Sequence, residues 1–432
     1  MKKLFMSICV LAAALSLQSC LHDDNEVFDT PAAQRIQQTV AEHKQLLESA
    51  SNGWELHYYA GVEYSGAGYT MLIRFADGKA HVSSDMAAST KVSTSSYDVI
   101  KDMGPVLTFN TYNQIMHFLA EPNQVNVEGE QGDYEFLILE ANQDYIRLKG
   151  KKWKNEMKMT RIPDGVNWKT YLDGIRAVNN KLSFIYDNKV NGTTVSTLYL
   201  SKDSRRIGLT GENQPESAYY VTSKGIHLQQ PIDVGGGCII SDLELDPVTG
   251  ELKAPGQSAL QIAKSADAAK NLDLTKLYGT WDVNCEVRLG TKNGGDGSAG
   301  PAKTLKVKLE DIKNELDEPY QSIIKGTIFN GDDEYRFYLY YLPEQGHLRL
   351  GENNVADPTG KLPYLEVAGL SSTGSFTSVS FTYDPATGVL TNTKTDSSVA
   401  YIFLEKDENG EEGYNLFLSF DKFNQLTNHT TN

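Results

Sequence analysis

The chain has few of the residues that usually carry enzyme chemistry. It holds four cysteines and eight histidines in 432 residues. No pair of either has the spacing of metal ligands. There is no His-Glu-x-x-His helix, no Gly-x-Ser-x-Gly elbow and no Gly-x-x-x-x-Gly-Lys phosphate loop. Gly235-Gly236-Gly237 lacks a following helix signal and reads as a loop or bulge before a strand. Basic charge is also scarce. Forty Lys and Arg face 56 Asp and Glu, a formal net charge of −16. That balance argues against a nucleic-acid partner, because phosphate binding needs clustered cations. Nor does the chain have a long apolar run: the stretch Leu4 to Leu17 falls short of the roughly 20 residues a spanning helix needs.

That short stretch is nonetheless informative. Lys2 and Lys3 precede it, and Leu17-Gln18-Ser19-Cys20 closes it, as in a secretory signal with a small-residue cut site. The tetrapeptide resembles the lipobox of bacterial lipoproteins, with Gln18 departing from the usual small or apolar residue. Residues 1–19 are therefore expected to be a signal peptide and Cys20 the lipidated residue. An ordinary signal with an incidental cysteine is the alternative. One buried acyl chain anchors weakly, and stable anchoring takes more than one; a diacylglyceryl group plus an amide-linked chain meets that condition. Residues 20–29 read as an acidic tether. Asp23, Asp24 and Glu26 resemble the export tag that sends lipoproteins to the outer face of Bacteroidetes cells, and a plain solvated tether is the bland reading. Of the other cysteines, Cys9 lies in the signal; Cys238 and Cys285 are expected to be buried free thiols in different domains.

The body reads as mainly β with a few helices, in two tandem β-rich domains. The first is placed at 30–254. It opens with a helix, capped by Thr30 with Pro31 at its first position and Gly53 after its end. A second helix is inserted near 166–178, with Trp168, Leu172 and Ile175 on its apolar face. Residues 255–275 read as a linker, 276–425 as an all-β domain and 426–432 as a tail. Strands are marked by β-branched and aromatic residues broken by Gly, Asn and Asp. Asp77-Gly78 is a hairpin turn. Phe337, Leu339 and Tyr341 alternate with Arg336, Tyr338 and Tyr340.

Two segments echo each other. Residues 243–252 (LELDPVTGEL) match 381–390 (FTYDPATGVL) at five of ten positions. In both, Asp-Pro opens a turn and Thr-Gly closes it. More faintly, Asn52-Gly53-Trp54 resembles Tyr278-Gly279-Thr280-Trp281. Two domains of related plan follow, convergence on a common turn being the alternative. Gly279-Thr280-Trp281 also resembles the Gly-x-Trp that opens lipocalin-like barrels, which makes a lipocalin- or calycin-like barrel, or a sandwich, the expectation for 276–425.

Candidate chemistry is sparse. Asp332-Asp333-Glu334 and the run 407–412 read as hairpin turns; either has oxygen ligands for Ca²⁺, but neither fits the EF-hand pattern. His57, His81, His117, His227 and His347 fall in or beside regular elements, where packing explains them. Tyr58, Tyr59, Tyr64 and Tyr69, and again Tyr338, Tyr340 and Tyr341, cluster on strands. Aromatic faces suit sugars and peptides, yet each ring singly reads as sheet packing. No catalytic residue, metal ligand or cofactor is assigned.

Phe28-Asp-Thr-Pro-Ala-Ala-Gln-Arg35, Gly104 to Asn113, Gly132 to Leu139 and Arg147 to Lys152 together resemble a family of Bacteroidetes surface lipoproteins of unknown function, most closely over residues 20–250. Such proteins are usually encoded beside outer-membrane nutrient importers of the starch-utilisation type. The resemblance implies an accessory that binds a glycan or peptide nutrient without turnover, held at the outer membrane facing the exterior. An acid/base hydrolase on a β-scaffold and a structural or adhesive surface protein are the competing readings.

Overall fold

The computed structural model describes residues 32–122, 128–290, 295–350, 353–355, 365–370, 376–377, 379–393, 400–405 and 415–431. Cys20, Asp23, Asp24, Glu26, Thr30 and the acidic run 407–412 lie outside them. Within the described residues the chain forms three α-helices and 29 strands.

The helix α1 (Ala32–Glu48) leads into β1 (Trp54–Tyr59), β2 (Gly68–Ala76), β3 (Lys79–Ser84), β4 (Ser93–Lys101), β5 (Pro105–Phe109), β6 (Glu135–Ala141), β7 (Tyr145–Gly150) and β8 (Glu156–Arg161). Each strand pairs antiparallel with the next, and β8 returns to β1, closing a barrel. Between β5 and β6, α2 (Gln114–His117) is capped by Asn113, whose side chain accepts the N–H groups of Ile115 and Met116. Trp54, Leu56 and Tyr58 on β1 point inward, as the two-residue period demands. The Trp54 indole donates to the carbonyl of Leu47 on α1 (3.0 Å), and the Arg161 guanidinium lies 4.7 Å from its ring. The helix thereby covers the barrel end where the chain enters.

A second closed barrel repeats this plan. It opens with α3 (Trp168–Lys181) and runs through β9 (Ile185–Val190), β10 (Thr193–Ser201), β11 (Arg206–Leu209), β12 (Glu216–Val221), β13 (Gly225–Gly235), β14 (Cys238–Leu245), β15 (Leu252–Lys253) and β16 (Leu260–Lys264). Two 3₁₀ turns, Ala268–Asn271 and Leu274–Leu277, lead to the third unit. Its strands are β17 (Gly279–Leu289), β18 (Ala299–Lys313), β19 (Pro319–Asn330), β20 (Asp333–Leu342), β21 (His347–Leu350), β22 (Asn353–Val355), β23 (Leu365–Leu370), β24 (Phe376–Thr377), β25 (Ser380–Asp384), β26 (Val389–Asn392), β27 (Ala400–Glu405), β28 (Asn415–Asp421) and β29 (Gln425–Thr430). The pairings β17–β18–β19–β20–β21–β25–β26–β29 return to β17, again a ring of eight. The far half of β17 pairs instead with β28, from which β27, β23 and β22 extend as a flap of sheet.

The protein is thus mainly β, with barrel-like sheets in tandem. The stretch 30–254, read from sequence as one domain, holds one complete barrel and most of another. The helix near 166–178 is not an insertion but the opening of the second barrel. Residues 255–275, read as a linker, contain β16, whose Leu260, Ile262 and Ala263 are buried and close that barrel against β9. Residues 426–432, read as a tail, carry most of β29, which seals the third ring with Leu426 in its core. Cys238 and Cys285 are buried free thiols in the second and third units, and burial pushes the Cys285 thiol up to about 11. The alternation on β20 is as expected: Tyr335, Phe337, Leu339 and Tyr341 are buried, while Arg336 is exposed.

Candidate binding site between the barrels

Large side chains fill the barrel interiors, as small barrels require. Tyr58, Phe75, Phe109 and Phe136 pack in the first; Tyr186, Leu198, Tyr219 and Val234 in the second. The substantial clefts lie instead between units, and a single turn organises the place where they meet. This turn joins β10 to β11 with the sequence Lys202-Asp203-Ser204-Arg205. Arg205 adopts a left-handed conformation (φ +50°) and enters the first barrel's boundary, 3.0 Å from Asp85. Both side chains are buried, at 6% and 1% exposure. Burial pushes the Asp85 carboxyl up, against the opposing pull of Arg205 and the Thr70 N–H. Arg206 reaches the Tyr64 carbonyl at 2.8 Å. Asp203 faces the other way, accepting the backbone N–H groups of Gln321 (2.7 Å) and Ser322 (2.9 Å) on β19, and the Ser322 hydroxyl.

The third unit also reaches the first barrel. Leu316, at the tip of the β18–β19 hairpin, is buried in that barrel's core cluster. Gln114 donates to the Glu315 carbonyl (3.2 Å), and Arg176 bridges the Ala87 carbonyl (2.9 Å) and Glu318 (2.7 Å).

Between the second and third units opens a cleft of about 550 Å³. The end of α3, the β10–β11 turn, the 3₁₀ turns and the start of β19 enclose it. Asn271 braces one wall: its Oδ1 accepts the N–H groups of Phe184 (2.8 Å) and Ile185 (3.0 Å). Phe184, Tyr278 and Tyr320 contribute rings, and Lys181, Lys202, Lys264, Asp273 and Asp311 the formal charges. Phe184 is also a wall of a second, more apolar cleft of about 270 Å³ with Tyr199, Tyr341 and Pro343. Of the charged side chains lining the larger cleft, Lys202 is the most buried. It is 9% exposed, with its Nζ 4.8 Å from the Phe184 ring centre. Burial pushes its amine down to about 8, while Asp203 and Asp273 pull it up and Lys264 pushes it down.

The residues singled out from sequence stand elsewhere. Tyr58 is buried in the first barrel, its hydroxyl donating to the Asp133 carbonyl (2.9 Å). Tyr59 and Tyr64 pack with Tyr220 at the boundary of the first two barrels, and Tyr69 lies under Arg205. Tyr341 braces the first 3₁₀ turn, its hydroxyl donating to the Ala269 carbonyl (2.6 Å) and accepting from the Leu272 N–H (2.9 Å). His57 stacks on Tyr220 at 3.8 Å, with His227 at 5.0 Å from the same ring. Asp332 and Asp333 fall at the β19–β20 hairpin, where Asn330 pairs with Asp333. None of these lines the larger cleft. Lys202 and Tyr320 do, and no local pattern marked them: a lysine in a polar turn reads as solvated until a neighbouring unit docks over it.

The fold defines a tandem-barrel protein with a cleft between its second and third units. The chain belongs to the family described as a domain of unknown function (DUF4302), whose model matches residues 24–247. That span takes in α1, the first barrel and the second barrel through β14. No curated protein matches the chain. Among solved structures, it aligns with a transferrin-binding protein B variant from Haemophilus parasuis Hp5 at 10% identity, covering 87% of this chain and 75% of that one, with a TM-score of 0.12.

Proposed function

We propose that the chain is a non-catalytic binding protein that holds a glycan or peptide for an importer, anchored to the outer membrane through lipid on Cys20 and facing the cell exterior. The observation that carries this reading is the cleft between the second and third units. It is within the size range of small-ligand sites, and it combines ring faces with a few polar groups that fix orientation. The lipobox-like ending at Cys20 supports the anchor. The resemblance to Bacteroidetes lipoproteins encoded beside importers supports the partner. The test is calorimetry of the chain from Leu21 onward against a panel of oligosaccharides and short peptides, with co-purification from native membranes. Saturable binding without turnover, and recovery of an outer-membrane importer, are expected. Binding to no member and recovery of no importer would remove the reading.

A hydrolase has one observation in its favour: Asp273 and Asp311 line the same cleft. Turnover of a bound oligosaccharide, lost in Asp311→Asn, would favour it.

A further inference from the structure

Burying an ammonium without an anion beside it is costly, and native proteins pair such groups. Lys202 has no carboxylate within ion-pair distance among the described residues. Its nearest acids are engaged elsewhere. Asp203 is taken up by Gln321 and Ser322, and Asp273 accepts the N–H (3.1 Å) and hydroxyl (2.7 Å) of Thr275. Tyr278 and Tyr320 line the same cleft, and neither hydroxyl has a hydrogen-bond partner among the described residues. Lysines outnumber acids on the cleft wall, in a chain whose net charge is −16.

We infer that the cleft takes a monoanionic ligand, its carboxylate seated on the Lys202 ammonium and its body packed against Phe184, Tyr278 and Tyr320. This rests on the binding reading above and gives that site its ligand class. A dianion such as a phosphate monoester fits poorly. The cleft wall offers one deep point charge and no arginine fork, and Asp203 and Asp273 lie near enough to oppose a second negative charge. A carboxylate can come from a sugar acid or from a peptide C-terminus, and the test separates the two.

The probes are a trisaccharide carrying a single galacturonic acid residue with its neutral all-galactose counterpart, and an N-acetylated tripeptide with a free C-terminal carboxylate and uncharged side chains with its amidated counterpart. Each is titrated calorimetrically into the chain from Leu21 onward and into Lys202→Met, at pH 7 and pH 9.5. We expect one acid to bind at least tenfold more tightly than its neutral partner at pH 7. That preference disappears in Lys202→Met, and it shrinks at pH 9.5 as the amine loses its proton. Preference confined to the saccharide pair identifies a sugar acid; preference confined to the tripeptide pair identifies a peptide. Equal binding of acid and neutral forms, or an unchanged preference in Lys202→Met, overturns the inference and leaves the binding reading standing. If none of the four binds, the inference falls; the wider panel of oligosaccharides and peptides then decides the binding reading separately. Circular dichroism and thermal melting of the variant confirm that a lost preference is not lost structure.

Discussion

At the scale of single residues, two buried cations behave oppositely. Lys202 is buried without a partner, so removing its charge should stabilise the unliganded protein. Its amine falls from the ordinary 10.5 to about 8. The folded state therefore binds fewer protons than the unfolded state between those values, and stability rises with pH across that window. At pH 7 the full penalty is present, on the order of 3 kcal/mol. Lys202→Met should recover about 1–3 kcal/mol at pH 7 and little above pH 10.5, read as the difference between urea midpoints of the two proteins. Stability gained where binding is lost is the usual mark of a functional residue. Arg205 is different because Asp85 sits 3.0 Å away. Arg205→Met leaves a buried carboxylate alone and should cost about 3–5 kcal/mol. Adding Asp85→Leu should return most of that loss, and a double-mutant cycle in urea measures it.

At the scale of elements, the same device opens the first and third units. Gly53 (φ +84°) and Gly279 (φ +138°) each pass so close to a neighbouring strand that a Cβ would lie 2.5 Å from the Ile73 carbonyl oxygen or 2.2 Å from that of Thr430. Trp54 and Trp281 follow. Each indole N–H caps a carbonyl of the preceding helical segment, Leu47 or Leu277. Each ring is covered by a residue of the last strand: Arg161 at 4.7 Å and His429 at 4.2 Å. Trp281→Phe keeps the ring but orphans the Leu277 carbonyl and should cost about 1–3 kcal/mol, measured by urea unfolding.

The sequence made this entry motif and most strands legible, because both depend on local pattern. Strands β4, β16 and β29 are among those that were not. Residues 93–101 (STSSYDVIK) are rich in Ser and Asp, so β4 goes unmarked although Tyr97 and Val99 are buried. Strand β16 has three buried side chains within a polar, Lys-containing stretch. In β29, only Leu426 is buried in a polar run. Strand β4 pairs with its neighbours β3 and β5 and is hidden by its polar residues, whereas β16 and β29 close their rings by pairing with the distant β9 and β17, which leaves no local signature. Lys202 was invisible for the same reason, its burial being the work of a unit that follows some 70 residues later.

At the scale of the molecule, the repeated hairpin turns are informative. In both, the Asp side chain accepts a backbone N–H two residues on, and the Gly N–H returns to the Asp carbonyl: Gly250 to Asp246 at 2.9 Å and Gly388 to Asp384 at 2.8 Å. The first joins β14 to β15 and the second β25 to β26, the sixth and seventh strands of their rings. The echo thus relates the second unit to the third, while the Gly–Trp entry relates the first to the third. Three units of one plan, rather than two, account for both. They are packed as one body, with the β18–β19 tip seated in the first barrel. Leu316→Glu should unseat it, raising the radius of gyration in small-angle scattering and speeding protease cleavage near 314–318. An unchanged radius and cleavage rate would mean the tip contact contributes nothing.

The central claim is that the space between the second and third units is where this protein holds its ligand. Hydrogen–deuterium exchange of the chain, with and without the tightest-binding probe, tests it most directly. The account predicts added protection at 180–184, 271–278 and 319–321, with the first barrel unchanged. Protection confined to the first barrel, or to the outer faces of the sheets, would contradict it.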